Sequence, residues 1–190
     1  SCVLGTSSGI HAWHSKYYIR RVRVDKSEMI YNYLVNNHPE LIEDDYFNSL
    51  TTAIISLPQT APHSAITRDN ETAIDLLERV KLVSTHWVGS GHNTGMNTHN
   101  VSATISVKNS EWDEVGNWFW NNRDCYNGLT VIPYDGGTYV QAPFESISKY
   151  KFDKMLEFLK KVDLTKVIES NDTTNLAGEV ACAGGSCEMK

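Results

Sequence analysis

The sequence has no surplus of positive charge: 17 Lys and Arg stand against 23 Asp and Glu, a net charge of −6. That balance argues against nucleic acid as a partner, since a phosphate backbone selects a basic face. No apolar run approaches the roughly 20 residues of a membrane span, and the first residues hold no signal-peptide-like apolar stretch. Internal repeats and low-complexity tracts are missing as well, which excludes solenoids and compositionally biased linkers. Cysteine is scarce. Four in 190 residues are too few for a disulfide scaffold, and the expected setting is the cytoplasm. The sequons at Asn70, Asn100 and Asn171 carry little weight in that setting.

Two of those four cysteines, Cys182 and Cys187, sit in the terminal GEVACAGGSCEMK, where almost nothing apolar anchors the chain. Gly184 and Gly185 relax the backbone between them enough for a tight turn and a bridge. Such a short loop removes little entropy from the unfolded chain, so the bond would contribute little stability. An exposed, exchangeable pair suits a redox relay. Free thiols or a pair of metal ligands are the other readings, and zinc is poorly supported by two thiols without a neighbouring His. At the opposite end the chain starts at Ser1 and continues CVLGTSSGIHAWH, which reads like the middle of a protein. The expectation is a terminus made by processing or gene splitting, in a larger catalytic unit.

Between these ends, strands alternate with helices, as in α/β architecture. The stretch 17–24 alternates apolar and basic residues like a half-buried strand. Helical spacing of Met29, Ile30, Tyr33 and Leu34 follows, with Asp25 as its expected N-cap. A short strand is expected at 52–57, stopped by Pro58, and a helix at about 70–85 with Ile74, Leu76, Leu77, Val80 and Leu82 on its buried face. Residues 89–95 read as a loop and 101–107 as a strand. Ser110 is the expected cap of a helix carrying Trp112, Val115, Trp118 and Phe119. Residues 129–133 make another strand, 146–162 another helix, and the polar run from 169 a linker to a mobile tail.

His11, His14, His92 and His99 lack the spacing of a metal site and read as surface or hydrogen-bonded residues, so no metal is expected. Cys125 and Cys2 read as structural thiols. Arg20, Arg21 and Arg23 form a basic strand whose usual reading is a solvated face, with an acidic or phosphate partner as the alternative. The loop 5–9 offers backbone N–H groups to an anion but lacks a Walker lysine. Trp118, Phe119 and Trp120, at helical spacing with Val115, read as core rather than as a stacking platform.

SGIHAWHSKYYIRRVRV, AITRDNETAIDLLERVK, THNVSATISV, PYDGGTYVQAPFE and CAGGSC, in that order, resemble the C-terminal part of adenosylcobalamin-dependent (class II) ribonucleotide reductases. The resemblance runs over essentially the whole chain. It implies the closing strands and helices of a ten-stranded α/β barrel over 1–167, and a flexible redox-active tail over 168–190. It further implies that Cys182 and Cys187 are the pair that re-reduces the active-site disulfide and is recharged by thioredoxin or a similar reductant. Ser1 would lie at the end of a loop that binds the phosphates of a ribonucleotide substrate. No Asn-x-Cys-x-Glu motif occurs, so the radical cysteine on its finger loop and most adenosylcobalamin contacts are expected on an upstream chain. A class I large-subunit fragment and a stand-alone thiol–disulfide relay are the competing readings. Neither a membrane nor a nucleic acid is an expected partner.

Overall fold

In a computed structural model, residues 9–92, 95, 98–134 and 139–168 are described. Ser1, Cys182 and Cys187, the three site residues expected from the sequence, lie outside them, as does Cys2. The chain forms two compact units, Ser1–Lys16 with Ala61–Gly137, and Tyr17–Thr60 with Thr138–Lys190. Both mix helix and strand, in keeping with the expected α/β class.

The second unit is built on an antiparallel sheet. Strand β1 (Tyr17–Asp25) pairs along its whole length with β3 (Thr52–Thr60), from Tyr17 opposite Thr60 to Asp25 opposite Thr52. Short strands β2 (Ile42–Asp44) and β6 (Phe144–Ser146) complete the order β2-β3-β1-β6. Tyr18, Ile19, Val24, Ala53 and Ile54 are buried, as is Leu34 of helix α1 (Met29–Asn37). Phe152 of helix α4 (Lys149–Phe158) packs its ring 5.1 Å from that of Tyr17.

Three expectations fail here for identifiable reasons. Pro58 does not stop β3; it pairs opposite Ile19. The neighbour on the other side, β2, reaches only Ile55, so beyond that point β3 has no further strand partner on that side among the described residues, and proline is tolerated at such an edge. Asp25 does not cap α1. Its carboxylate accepts from Ser27 N at 2.8 Å and from the Ser27 hydroxyl at 2.7 Å, closing a turn, and the helix begins only at Met29 after Glu28. The helix expected over 146–162 is shorter, Lys149–Phe158, and its true cap is Ser148, whose hydroxyl accepts from Lys151 N.

Two of the three arginines of β1, Arg21 and Arg23, have acid partners rather than water alone. Arg21 pairs with Glu145 at 2.6 Å, and Arg23 donates to Asp45 at 2.8 Å. Asp45 also accepts the amides of Phe47 and Asn48. Burial pushes its carboxyl upward, but those two amides and Arg23 outweigh burial and leave it below its ordinary value. The loop after β2 is pinned further by Gln141, which accepts from Tyr46 N and donates to the Asp44 carbonyl. At its tip Tyr46, Phe47 and Leu50 remain 69%, 75% and 90% exposed.

The first unit holds a βαβ crossover. Strand β4 (Thr104–Val107) runs parallel to β5 (Thr130–Pro133), and α3 (Trp112–Asn121) connects them. Helix α2 (Ala73–Val83) starts on a capping box: Thr72 accepts from Asp75 N, and the Asp75 carboxylate accepts from Thr72 N. Ala73, Leu76, Leu77 and Val80 of α2 meet Ile105 and Val107 of β4 and Val115 and Trp118 of α3 in one buried cluster. Leu82 is not part of it and is 58% exposed, because it lies about two and a half turns from Ala73 and so on the opposite face. Ser110 is not the cap of α3; that position is Glu111, without a side-chain cap bond. Trp118 is buried as expected and Phe119 partly so, but Trp120 is exposed, with Arg123 5.4 Å above its ring.

Candidate functional site

The pocket of the first unit opens where β4 and β5 end and α2 begins. Alternation along β4 buries Ile105 and Val107 against the helices and turns Thr104 and Ser106 to the open face. Lys108 continues that open face beyond the strand, and Tyr134 follows β5. Trp13 bridges to Thr67, and Arg68 N donates to the Trp13 carbonyl, which fixes Arg68 and His11 on the remaining wall. The resulting cavity is about 100 Å³, lined by His11, Arg68, Thr104, Ser106, Lys108 and Tyr134 together with Glu71, Thr72 and Leu76.

Charge is unevenly distributed around it. The Arg68 guanidinium and the Lys108 ammonium each lie 5.9 Å from the centre of the Tyr134 ring. Glu71 lines the cavity but is engaged by Arg79 at 2.5 Å. Glu111 accepts from Lys108 N at 2.8 Å and from Ala73 N at 3.3 Å, so its carboxylate neutralises the start of α2. His11 accepts the Thr104 amide through Nε2 at 3.2 Å, which places its ring proton on Nδ1 and fits the hydrogen-bonded role expected of it.

His14, in the same segment, is held uncharged. Burial lowers its pKa to about 4, Arg68 acts in the same direction and Asp69 opposes. The sign of the linkage follows: below pH 6.5 the unfolded imidazole takes up a proton that the folded one refuses. Stability is therefore complete above pH 6.5 and falls progressively toward pH 4, by at most about 3 kcal/mol. The measurement is the urea midpoint between pH 7 and pH 4.5. A falling midpoint in the wild type and a flatter one in His14→Asn are expected; equal slopes would refute the assignment.

Cys125 is half-buried and its thiol is pushed up, by burial first, so it is poorly disposed to act as a nucleophile. Arg68, Lys108 and Tyr134 were not marked by the sequence. They come from three separated segments, and no local motif joins them.

No family model matches the chain. It is similar over 98% of its length to the adenosylcobalamin-dependent ribonucleoside-triphosphate reductases of Lactobacillus acidophilus, at 24% identity, and Lactobacillus leichmannii, at 25%. A probable enzyme of the same name from Dictyostelium discoideum matches the whole chain at 23% identity. The chain spans only 24–25% of the length of these three relatives. Among solved structures, a B-12 dependent (class II) ribonucleotide reductase superposes with a TM-score of 0.67 at 24% identity, covering 86% of this chain and 22% of the other. That likeness carries the fold. From end to end, the chain is similar to about one quarter of the length of proteins named adenosylcobalamin-dependent ribonucleoside-triphosphate reductase.

Proposed function

We propose that this chain contributes residues 1–167 to the barrel of a class II ribonucleotide reductase and residues 168–190 as its redox tail. The observation that carries the reading is the match of essentially the whole chain to one quarter of enzymes bearing that name. The open face of the β4–β5 pair supports it. Parallel strands are ordinarily covered on both faces, and here the helices cover one, while the other presents Thr104 and Ser106. Further strands from an upstream chain would extend this pair toward a ten-stranded barrel.

In this reading the assembled enzyme reduces ribonucleoside triphosphates to deoxyribonucleotides. Adenosylcobalamin, when bound, supplies the radical that starts the reaction, and its contacts lie mainly on the upstream chain with the radical cysteine. Ser1 closes the loop that holds substrate phosphates. Cys182 and Cys187 return two electrons to the active-site disulfide and are recharged by thioredoxin or a similar reductant.

The test is reconstitution. The 190-residue chain is mixed with a polypeptide equivalent to the remaining three quarters of a relative, with ribonucleoside triphosphate, dithiothreitol and adenosylcobalamin. Co-migration of the two chains, and deoxynucleotide formation that requires both chains and the cobalamin, are expected. Activity without cobalamin would overturn the cobalamin-dependent assignment. Failure to co-migrate together with absence of turnover would overturn the reading.

A further inference from the structure

We propose that the pocket between Arg68, Lys108 and Tyr134 binds a phosphoryl-type oxyanion. The inference stands on the cavity itself and holds whether or not the chain belongs to a reductase.

The first reason is uncompensated charge. Arg21, Arg23 and Arg79 each have a carboxylate within 4 Å. Arg68 and Lys108 have no ion-pair partner among the described residues, yet both approach one tyrosine ring. An anion in the cavity that both residues line is attracted by both charges. A second reason is the Arg68 Nε atom, which is buried and has no acceptor among the described residues, on a side chain that lines the cavity. A donor removed from water and left unpaired is unfavourable.

The neighbouring acids do not take this role. Glu71 is committed to Arg79, and Glu111 to the amides of Lys108 and Ala73. The Thr72 hydroxyl is likewise occupied, accepting from Asp75 N and donating to the Asp75 carboxylate. What remains is a guanidinium fork, an ammonium and the two hydroxyls of Thr104 and Ser106 on the open strand face. These donors line one cavity and suit an anion with several oxygens, such as a phosphoryl group. The volume, about 100 Å³, accommodates several waters and so one phosphoryl group. Uncharged His14 beside Arg68 adds no further positive charge at neutral pH.

The phosphoryl group has two possible sources, free phosphate or the phosphate end of a nucleotide, and calorimetry on the full 190-residue chain separates them. Inorganic phosphate, ATP and sodium chloride are titrated at matched ionic strength. Saturable 1:1 binding of phosphate or ATP, with no heat from chloride, is expected. ATP tighter than phosphate by more than about tenfold assigns the site to a nucleotide, and comparable affinities assign it to free phosphate. Arg68→Gln and Lys108→Gln should each weaken binding about tenfold or more, the range for a charge-assisted hydrogen bond, while Lys154→Gln leaves it unchanged. An NMR measurement on the wild type needs no variant to fold: the Arg68 Nε–H resonance should shift with phosphate along the calorimetric isotherm. Absence of saturable binding, or binding that leaves that resonance unmoved and survives both substitutions, would overturn the proposal.

Discussion

Serine in place of Cys182 or Cys187 is expected to reduce turnover to background when thioredoxin is the reductant, and to leave turnover with a small dithiol at the wild-type rate. Each reductive cycle of the proposed enzyme leaves a disulfide at the buried site. A thiolate from the tail attacks one of its sulfurs, a mixed disulfide forms, and the second tail thiol resolves it. The tail is then the disulfide, and thioredoxin reduces it by the same two-step exchange. Either serine removes one of the two sulfurs and stops the exchange at the first bond or before it. A small dithiol diffuses to the buried disulfide and needs no relay. The measurement is deoxynucleotide formation by the reconstituted enzyme with each reductant in turn. Equal losses with both would remove the shuttle role and leave the rest of the functional reading standing, because reconstitution itself is assayed with dithiothreitol.

Leu77→Ala should cost about 3 kcal/mol, within the usual range for truncating a buried leucine. Its side chain is fully buried where α2 meets β4 and α3, in the cluster that contains Val80, Ile105, Val107 and Trp118. Little in that cluster can collapse into the gap: Ile105 and Val107 are fixed by pairing with β5, and Trp118 is tethered through its indole N–H to Glu78 at 2.6 Å. Leu82→Ala, five residues further along the same helix, should change stability by less than about 0.5 kcal/mol. Urea unfolding followed by circular dichroism measures both. Similar effects from the two substitutions would contradict the helix phase described for α2.

Leu82 also shows what periodicity in the sequence does and does not convey. A row of Ile74, Leu76, Leu77, Val80 and Leu82 announces a helix, and the helix is there. Only the inward face defined by Ala73, Leu76, Leu77 and Val80 is buried, and it excludes the last leucine. The signals at the ends of elements were less legible. Asp25 and Ser110 have the chemistry of caps, but Asp25 is spent on a turn and α3 starts one residue after Glu111. The working box, Thr72 with Asp75, is a Thr-x-x-Asp in the sequence, a weaker signal than the apolar spacing beside it. Strands β2 and β6 are three residues each, too short for alternation to register. The candidate pocket was illegible for a different reason. Arg68, Lys108 and Tyr134 are brought together only by the pairing of β4 with β5 and the bridge from Trp13 to Thr67. The terminal cysteines were the reverse case, conspicuous in sequence and outside the described residues.

The loop tip of Tyr46, Phe47 and Leu50 has a colloidal consequence. An exposed apolar side chain on a slack loop can turn inward and hide. Here the backbone beneath Tyr46 and Phe47 is held, since Asp45 accepts the amides of Phe47 and Asn48 while Gln141 accepts that of Tyr46. The tip therefore keeps those two rings in solvent as the solution is concentrated. For the chain handled alone, polar residues at the three positions should raise solubility without touching the buried residues.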